Sequence, residues 1–175
     1  MVRGSKSRRP VPESVQNPQI QRRLLAASGF SELGLYQEAI EELESLPFEL
    51  KETTVVLASW LELYQHWHKW AEALSIAQRL TELEPNEPNW AIALAYATRR
   101  ARGLTLAREV LQEASGKFEN CAAIHFNLAC YAAQLGELDE AHLCLTRAIE
   151  LDRAFATLAK TDPDLAPIRS RSPNN

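Results

Sequence analysis

The chain has 175 residues, 46% hydrophobic and 24% charged, with 23 acidic residues against 19 basic ones and a net charge of −4. That length suits one domain or one short array of stacked units, the acidity argues against the broad basic face of a nucleic-acid binder, and no apolar run approaches the ~20 residues of a membrane helix. Three cysteines, Cys121, Cys130 and Cys144, are an odd number and suit a reducing compartment better than a disulfide framework, so a cytoplasmic location is expected.

Residues 1–17 are polar and basic, with Arg3, Lys6, Arg8, Arg9, Pro10 and Pro12, and read as a disordered tail. They lack the apolar stretch of a secretory signal. The first helix is expected over 18–32, ending near Gly34, and its partner over 36–46, stopped by Pro47. In that second helix Tyr36, Ala39, Ile40, Leu43 and Leu46 form one apolar stripe, and Glu38, Glu41, Glu42 and Glu44 take the other faces. Further helices are expected over 51–66, 70–83, 88–101, 104–115, 120–134 and 138–151, with Pro85 and Pro88 bracketing a tight turn. A cap over 156–169 follows, and Phe155, Leu158, Leu165 and Ile168 are expected to cover the last hairpin. Residues 170–175 form a polar tail.

The helices repeat. Ala39, Ala73, Ala107 and Ala141 are spaced 34 residues apart, and three further columns keep step with them. These are Ala27, Leu61, Ala95 and Ala129; Leu43, Ala77, Leu111 and Leu145; and Leu46, Leu80, Ala114 and Ala148. A column led by large residues, Tyr36, Trp70, Leu104 and Leu138, opens the second helix of each unit. Small residues where two helices cross let the backbones approach, and larger apolar residues fill the flanks. A period of this length means stacked helical hairpins, none able to bury its apolar face alone. The repeats are set at 20–53, 54–87, 88–121 and 122–155 within a solenoid spanning 18–169.

The frame resembles the tetratricopeptide repeat. The second repeat carries the resemblance through Leu57, Trp60, Leu61, Tyr64, Ala73, Ala77, Leu80 and Pro85. The fourth carries it through Asn127, Leu128, Ala129, Gly136, Asp139, Glu140, Ala141, Leu145 and Ala148. Phe126–Tyr131 with Asp162-Pro163-Asp164-Leu165 is similar to the terminal repeat and cap of many bacterial members. Gly34 and Gly136 hold the turn position, where His68 and Arg102 stand in the other repeats. The resemblance implies an all-α fold, a right-handed α-α superhelix of about eight helices plus a short C-terminal capping segment. It also implies that the first helix of each pair lines a concave face. The inward positions then include Gln65 and His66 in the second repeat, Asn89, Ile92, Tyr96, Arg99 and Arg100 in the third, and Phe126 in the fourth. Family members that clamp a terminal carboxylate use Lys, Asn and Arg at set positions. Leu24, Ser28, Ser59, Asn89 and Ala93 fill them here, so no such clamp is formed.

Chemistry is sparse. Cys121 and His125 are four residues apart and share a helix face, but two ligands fall short of the three or four that zinc takes. There is no phosphate-binding glycine loop and no nucleophile elbow, so neither an enzyme nor a cofactor is expected. The third repeat is basic, with Arg99, Arg100, Arg102 and Arg108 between acidic neighbours. These side chains are expected to pair with glutamates of adjacent repeats, the alternative being attraction of an acidic ligand segment. The reading is a non-enzymatic adaptor that binds a peptide or protein segment in its concave groove through Asn89, Ile92, Tyr96, Arg99, Arg100, Phe126, Gln65 and His66. The alternative is a homo-oligomer assembled through the solenoid ends, using Leu24, Leu25 or the cap. Neither a membrane nor a nucleic-acid partner is expected.

Overall fold

The computed structural model describes residues 17–170, and its described residues are helical and turn in conformation, with no strand. The tails expected over 1–17 and 170–175 lie, apart from Asn17 and Ser170, outside the described residues. The chain divides into two compact units, one ending at His68 and the other beginning at Lys69.

The first unit holds α1 (Pro18–Glu32), α2 (Tyr36–Glu44), a short 3-10 turn (Phe48–Leu50) and α3 (Thr54–His66). The Asn17 side chain accepts a hydrogen bond from the Gln19 amide (2.9 Å), and Pro18 occupies the first turn, where a missing N–H costs nothing. Gly34 ends the α1 turn at φ 76°, a left-handed conformation that suits a residue without Cβ. α2 stops short of the expected boundary because Pro47 disfavours helical backbone at the residue before it. α3 likewise starts at Thr54 rather than 51. The 3-10 turn intervenes to bury Leu50, and the Thr53 hydroxyl donates to the Leu50 carbonyl at 2.7 Å. Ile20, Leu24, Ala27, Ala39, Leu43, Leu46, Leu50, Val56 and Leu63 form the core. The Tyr36 hydroxyl donates to the His66 carbonyl (2.9 Å), and its ring stacks on Trp67 at 5.2 Å.

The second unit holds α4 (Trp70–Leu83), α5 (Pro88–Arg102), α6 (Leu104–Lys117), α7 (Ala122–Leu135), α8 (Leu138–Leu151), α9 (Ala154–Thr161), a 3-10 turn (Pro163–Leu165) and α10 (Ala166–Ser170). From α4 to α8, each helix packs on the next. Between α4 and α5, the Trp90 indole N–H donates to Glu84 across the proline turn (3.0 Å), and the Glu87 carboxylate caps the Asn89 amide. The third repeat fills its turn position with helical Arg102, and the chain reverses one residue later, at Gly103, with φ 104°. Ala73, Ala107 and Ala141 of the 34-residue column are wholly buried, as is Ala39 in the first unit.

α7 is the centre of this unit. Ile124, Phe126, Leu128, Ala129, Cys130, Tyr131, Ala132 and Ala133 are all buried, so the helix is apolar on nearly every side. It packs against α5, α6, α8, the 3-10 turn and α10. Leu165 and Ile168 seal it, and Phe155 lies against Phe126 at 4.9 Å. Leu158 departs from the expectation: it is 50% exposed, because α9 turns that side chain away from the hairpin it was expected to cover.

Polar bonds fix the cap. Asp162 accepts from the Asp164 amide (2.9 Å), and Arg169 donates to the carbonyls of Ala159 (2.9 Å) and Asp162 (2.7 Å). The Gln134 amide donates to the Asp164 carbonyl (2.9 Å), and both terminal nitrogens of Arg99 reach the Asp164 carboxylate. That hydrogen bond, with the attraction of the opposite charge, raises Arg99 above the usual arginine range.

Two stability changes are expected. Gly136 sits at φ 83° with open space where a Cβ would go, so Gly136→Ala carries only the conformational cost, about 1–2 kcal/mol in urea unfolding. Asp164→Ala removes the partner of a mostly shielded guanidinium and lowers stability by about 1–2 kcal/mol in the same assay.

Candidate protein-binding surface

Gln65 and His66 close α3 in the first unit. The His66 ring shares a hydrogen bond with the Ser31 hydroxyl (3.0 Å), and one turn away the Ser28 hydroxyl donates to Glu62 (3.1 Å). These two polar pairs tie α1 to α3, so His66, assigned to an open groove, bonds within the unit instead. Gln65 stays half-buried and His66 exposed.

The other candidate residues belong to the second unit, five of them on α5. Asn89, Ile92, Tyr96, Arg99 and Arg100 follow the three- and four-residue spacing of one helix face. Asn89 is exposed at the first turn and Ile92 is half-buried against the core. Tyr96 is 43% exposed. Its ring meets Trp70 edge-to-face, with centroids 5.9 Å apart at 81°. The Arg100 guanidinium lies over the same indole, 4.7 Å from the ring centre. An edge-to-face pair suits the ring quadrupoles, and a cation over an indole face is held electrostatically.

The two neighbouring arginines have different fates. Arg99 is spent internally, bonded to Asp164 and lying 5.2 Å from the centre of the Tyr131 ring. Arg108 is also neutralised, by Glu137 (3.1 Å) and Glu140 of the next hairpin. Pairing with acidic neighbours thus accounts for these two members of the basic third repeat. Arg100 is exposed, with Trp70 beneath it and no carboxylate partner among the described residues.

Phe126 requires a correction. It is 7% exposed and packed at a tilt against Phe155, so it belongs to the core and not to an accessible groove floor. The cap does this: α9, the 3-10 turn and α10 occupy the inward side of α7. Trp70 is the residue that sequence reasoning missed. Its column reads as packing, and only the position of Arg100 above it turns a core-type aromatic into part of a surface cluster.

Two of the three thiols are held in the protonated, weakly nucleophilic form. Burial, aided by the charges of Asp162 and Asp164, pushes Cys130 up to about 12, and burial also raises Cys144. His125 Nε2 donates to the Glu119 carbonyl (2.9 Å), and among the described residues no three His, Cys, Asp or Glu side chains gather as a metal site. α5 exposes a guanidinium, a phenol and an amide beside half-buried apolar surface.

The tetratricopeptide repeat family matches residues 122–155, the segment built from α7 and α8. The protein carries a tetratricopeptide repeat. Its helical architecture agrees with solved structures of such proteins. MamA 41-end from Desulfovibrio magneticus RS-1 is 17% identical, with 77% of this chain and 76% of that one covered and a TM-score of 0.62. MamA from MSR-1 is 21% identical over 75% and 76%, with a TM-score of 0.59. A thermophilic TPR protein from Thermus thermophilus is 22% identical over 86% of each chain, with a TM-score of 0.61. No curated protein matches the sequence. The shared property is the fold, a helical scaffold of the kind used for protein–protein interaction. Among the described residues no helix is long and apolar enough to cross a membrane.

Alkylation tests the thiol environments. With a value near 12, Cys130 is thiolate in only on the order of one molecule in ten thousand at about pH 8. It should therefore resist iodoacetamide in the folded protein and react once urea unfolds it, as read by peptide mass spectrometry.

Proposed function

We propose that this protein is a non-enzymatic adaptor whose α5 face captures a peptide or protein segment bearing apolar side chains and one or two carboxylates. The observation that carries the reading is the Trp70–Tyr96–Arg100 cluster: a half-exposed phenol and a guanidinium with no carboxylate partner among the described residues, both supported by one indole. Stacking on Trp70 orients Arg100 and leaves its in-plane N–H groups free to grip a carboxylate bidentately. Tyr96 and Ile92 supply apolar contact beside it, and Asn89 adds an amide one helical turn before Ile92. Aromatic and arginine side chains of this kind dominate binding energy when a partner covers them.

Arg99 and Phe126 support the surface from behind, as a cap anchor and a core residue. Gln65 and His66 are kept as separate polar contact positions of α3. The three free cysteines favour a reducing, cytoplasmic setting.

The test is a library of peptides carrying Asp or Glu next to aliphatic or aromatic residues, with a charge-reversed library as control. Binding is measured to the wild type and to Tyr96→Ala/Arg100→Glu. The acidic peptides should bind the wild type and lose at least about tenfold in affinity to the double variant. Helix content should stay unchanged, since the cation–π contact and the edge-to-face ring pair that the variant removes contribute only about 1 kcal/mol each at this half-exposed site. Equal binding to both proteins would remove α5 as the site.

A further inference from the structure

α1 has two apolar faces, and its own unit uses only one. Ile20, Leu24, Ala27 and Ser31 are buried against α2 and α3. On the opposite side, Leu25 and Leu33 are each 75% exposed, far more than any apolar side chain of the unit's core. Between them lies Gly29, where a Cβ would meet nothing within 4 Å. The spacing of Arg22, Leu25, Ala26, Gly29, Glu32 and Leu33 puts all six within one stripe of the helix, about a third of its circumference.

The charges at the two ends of that stripe are opposite. Arg22 and Glu32 are both exposed, and neither makes an ion pair among the described residues. The neighbouring Arg23, by contrast, turns inward to Glu42 (3.0 Å) and the Ser45 hydroxyl (2.7 Å). A stripe that is basic at one end, acidic at the other and smallest near its middle is complementary to its own antiparallel copy.

We infer that α1 is a homodimerisation face on which a second copy of this chain docks its own α1, antiparallel and crossing near Gly29. Gly29 lets the two backbones approach closely. Leu25 and Leu33 stand one turn either side of it, about 6 Å along the axis. A two-fold rotation through the crossing therefore sets each Leu25 beside the partner's Leu33, and brings each Arg22 within reach of the partner's Glu32. One symmetry operation satisfies every feature of the stripe twice, which is the property of an isologous interface. Burial of four leucines supplies the driving force, and the two ion pairs fix the direction. This inference is independent of the α5 reading.

Sedimentation equilibrium of the full chain, from micromolar to high micromolar concentration, tests it. The wild type should shift from one to two chain masses as concentration rises. Leu25→Glu/Leu33→Glu should raise the dimer dissociation constant by roughly a hundredfold or more, with unchanged helix content, because both side chains are exposed in the single chain. Arg22→Glu should weaken the dimer by about fivefold, and Arg22→Glu/Glu32→Arg should recover that loss. The charge variants keep the test decisive if the leucine variant folds poorly. A wild type that stays monomeric throughout overturns the inference, including the case in which another segment of the same chain covers the leucines. A dimer indifferent to the leucine variant, or a charge reversal that the double exchange does not rescue, overturns it as well.

Discussion

The second unit depends on the burial of α7 on almost every side. A helix whose faces read Ile124, Leu128, Tyr131 and Phe126, with Ala129, Ala132 and Ala133 between them, has no side to give to water. The alanines set how near neighbours can come, and the large residues fill what is left. α6 and α8 take two of its sides, and the chain must return to cover the third. That requirement accounts for α9, the 3-10 turn and α10, and for the burial of Leu165 and Ile168. It also accounts for the electrostatics: a cap laid beside Arg99 must offer it a carboxylate, and Asp164 does so. Gln134 and Arg169 then bind the cap's exposed carbonyls, so its polar backbone is satisfied where it crosses the helix ends.

The candidate surface on α5 is what this arrangement leaves open. Two adjacent arginines on one helix are equivalent in charge and in intrinsic propensity, yet the fold spends one and spares the other. Arg99 is drawn toward the cap and Tyr131, while Arg100, about 100° further round the helix, falls over Trp70. An arginine held on an indole has given up part of its conformational freedom before a ligand arrives, so less entropy is lost on binding. In the proposed function, recognition would rest on a rigid helix and a preset side chain.

In the first unit the same logic works with polar groups. Ser28–Glu62 and Ser31–His66 join α1 to α3 on the side that helical-repeat proteins often turn toward ligands. The opposite side of α1 keeps Leu25 and Leu33 in water. Exposed leucines in isolation are ordinary. Two of them on one stripe, separated by a glycine and flanked by opposite charges, form a pattern with a geometric consequence.

Much of this was legible in the sequence. The 34-residue alanine column, the glycines at positions 34 and 136, and the prolines at positions 47, 85 and 88 determined where helices lie and where they end, because these are local properties of backbone and period. The errors were local too: Leu50 needed a 3-10 turn to reach the core, and Gly103 took over the turn from Arg102. Residue fates at the surface were a different matter. Phe126 and Tyr96 both sit at inward positions of their repeats, but one is buried and the other half exposed; Arg99 meets a carboxylate, and Arg100 meets none among the described residues. Periodicity reports which face of a helix a residue occupies, and it is silent on whether a segment 65 residues away, as Asp164 is from Arg99, folds back to cover that face. Helices and turns were therefore set by the sequence through short-range sterics and spacing, whereas which face stays open was decided only by the long-range packing of the cap on α7.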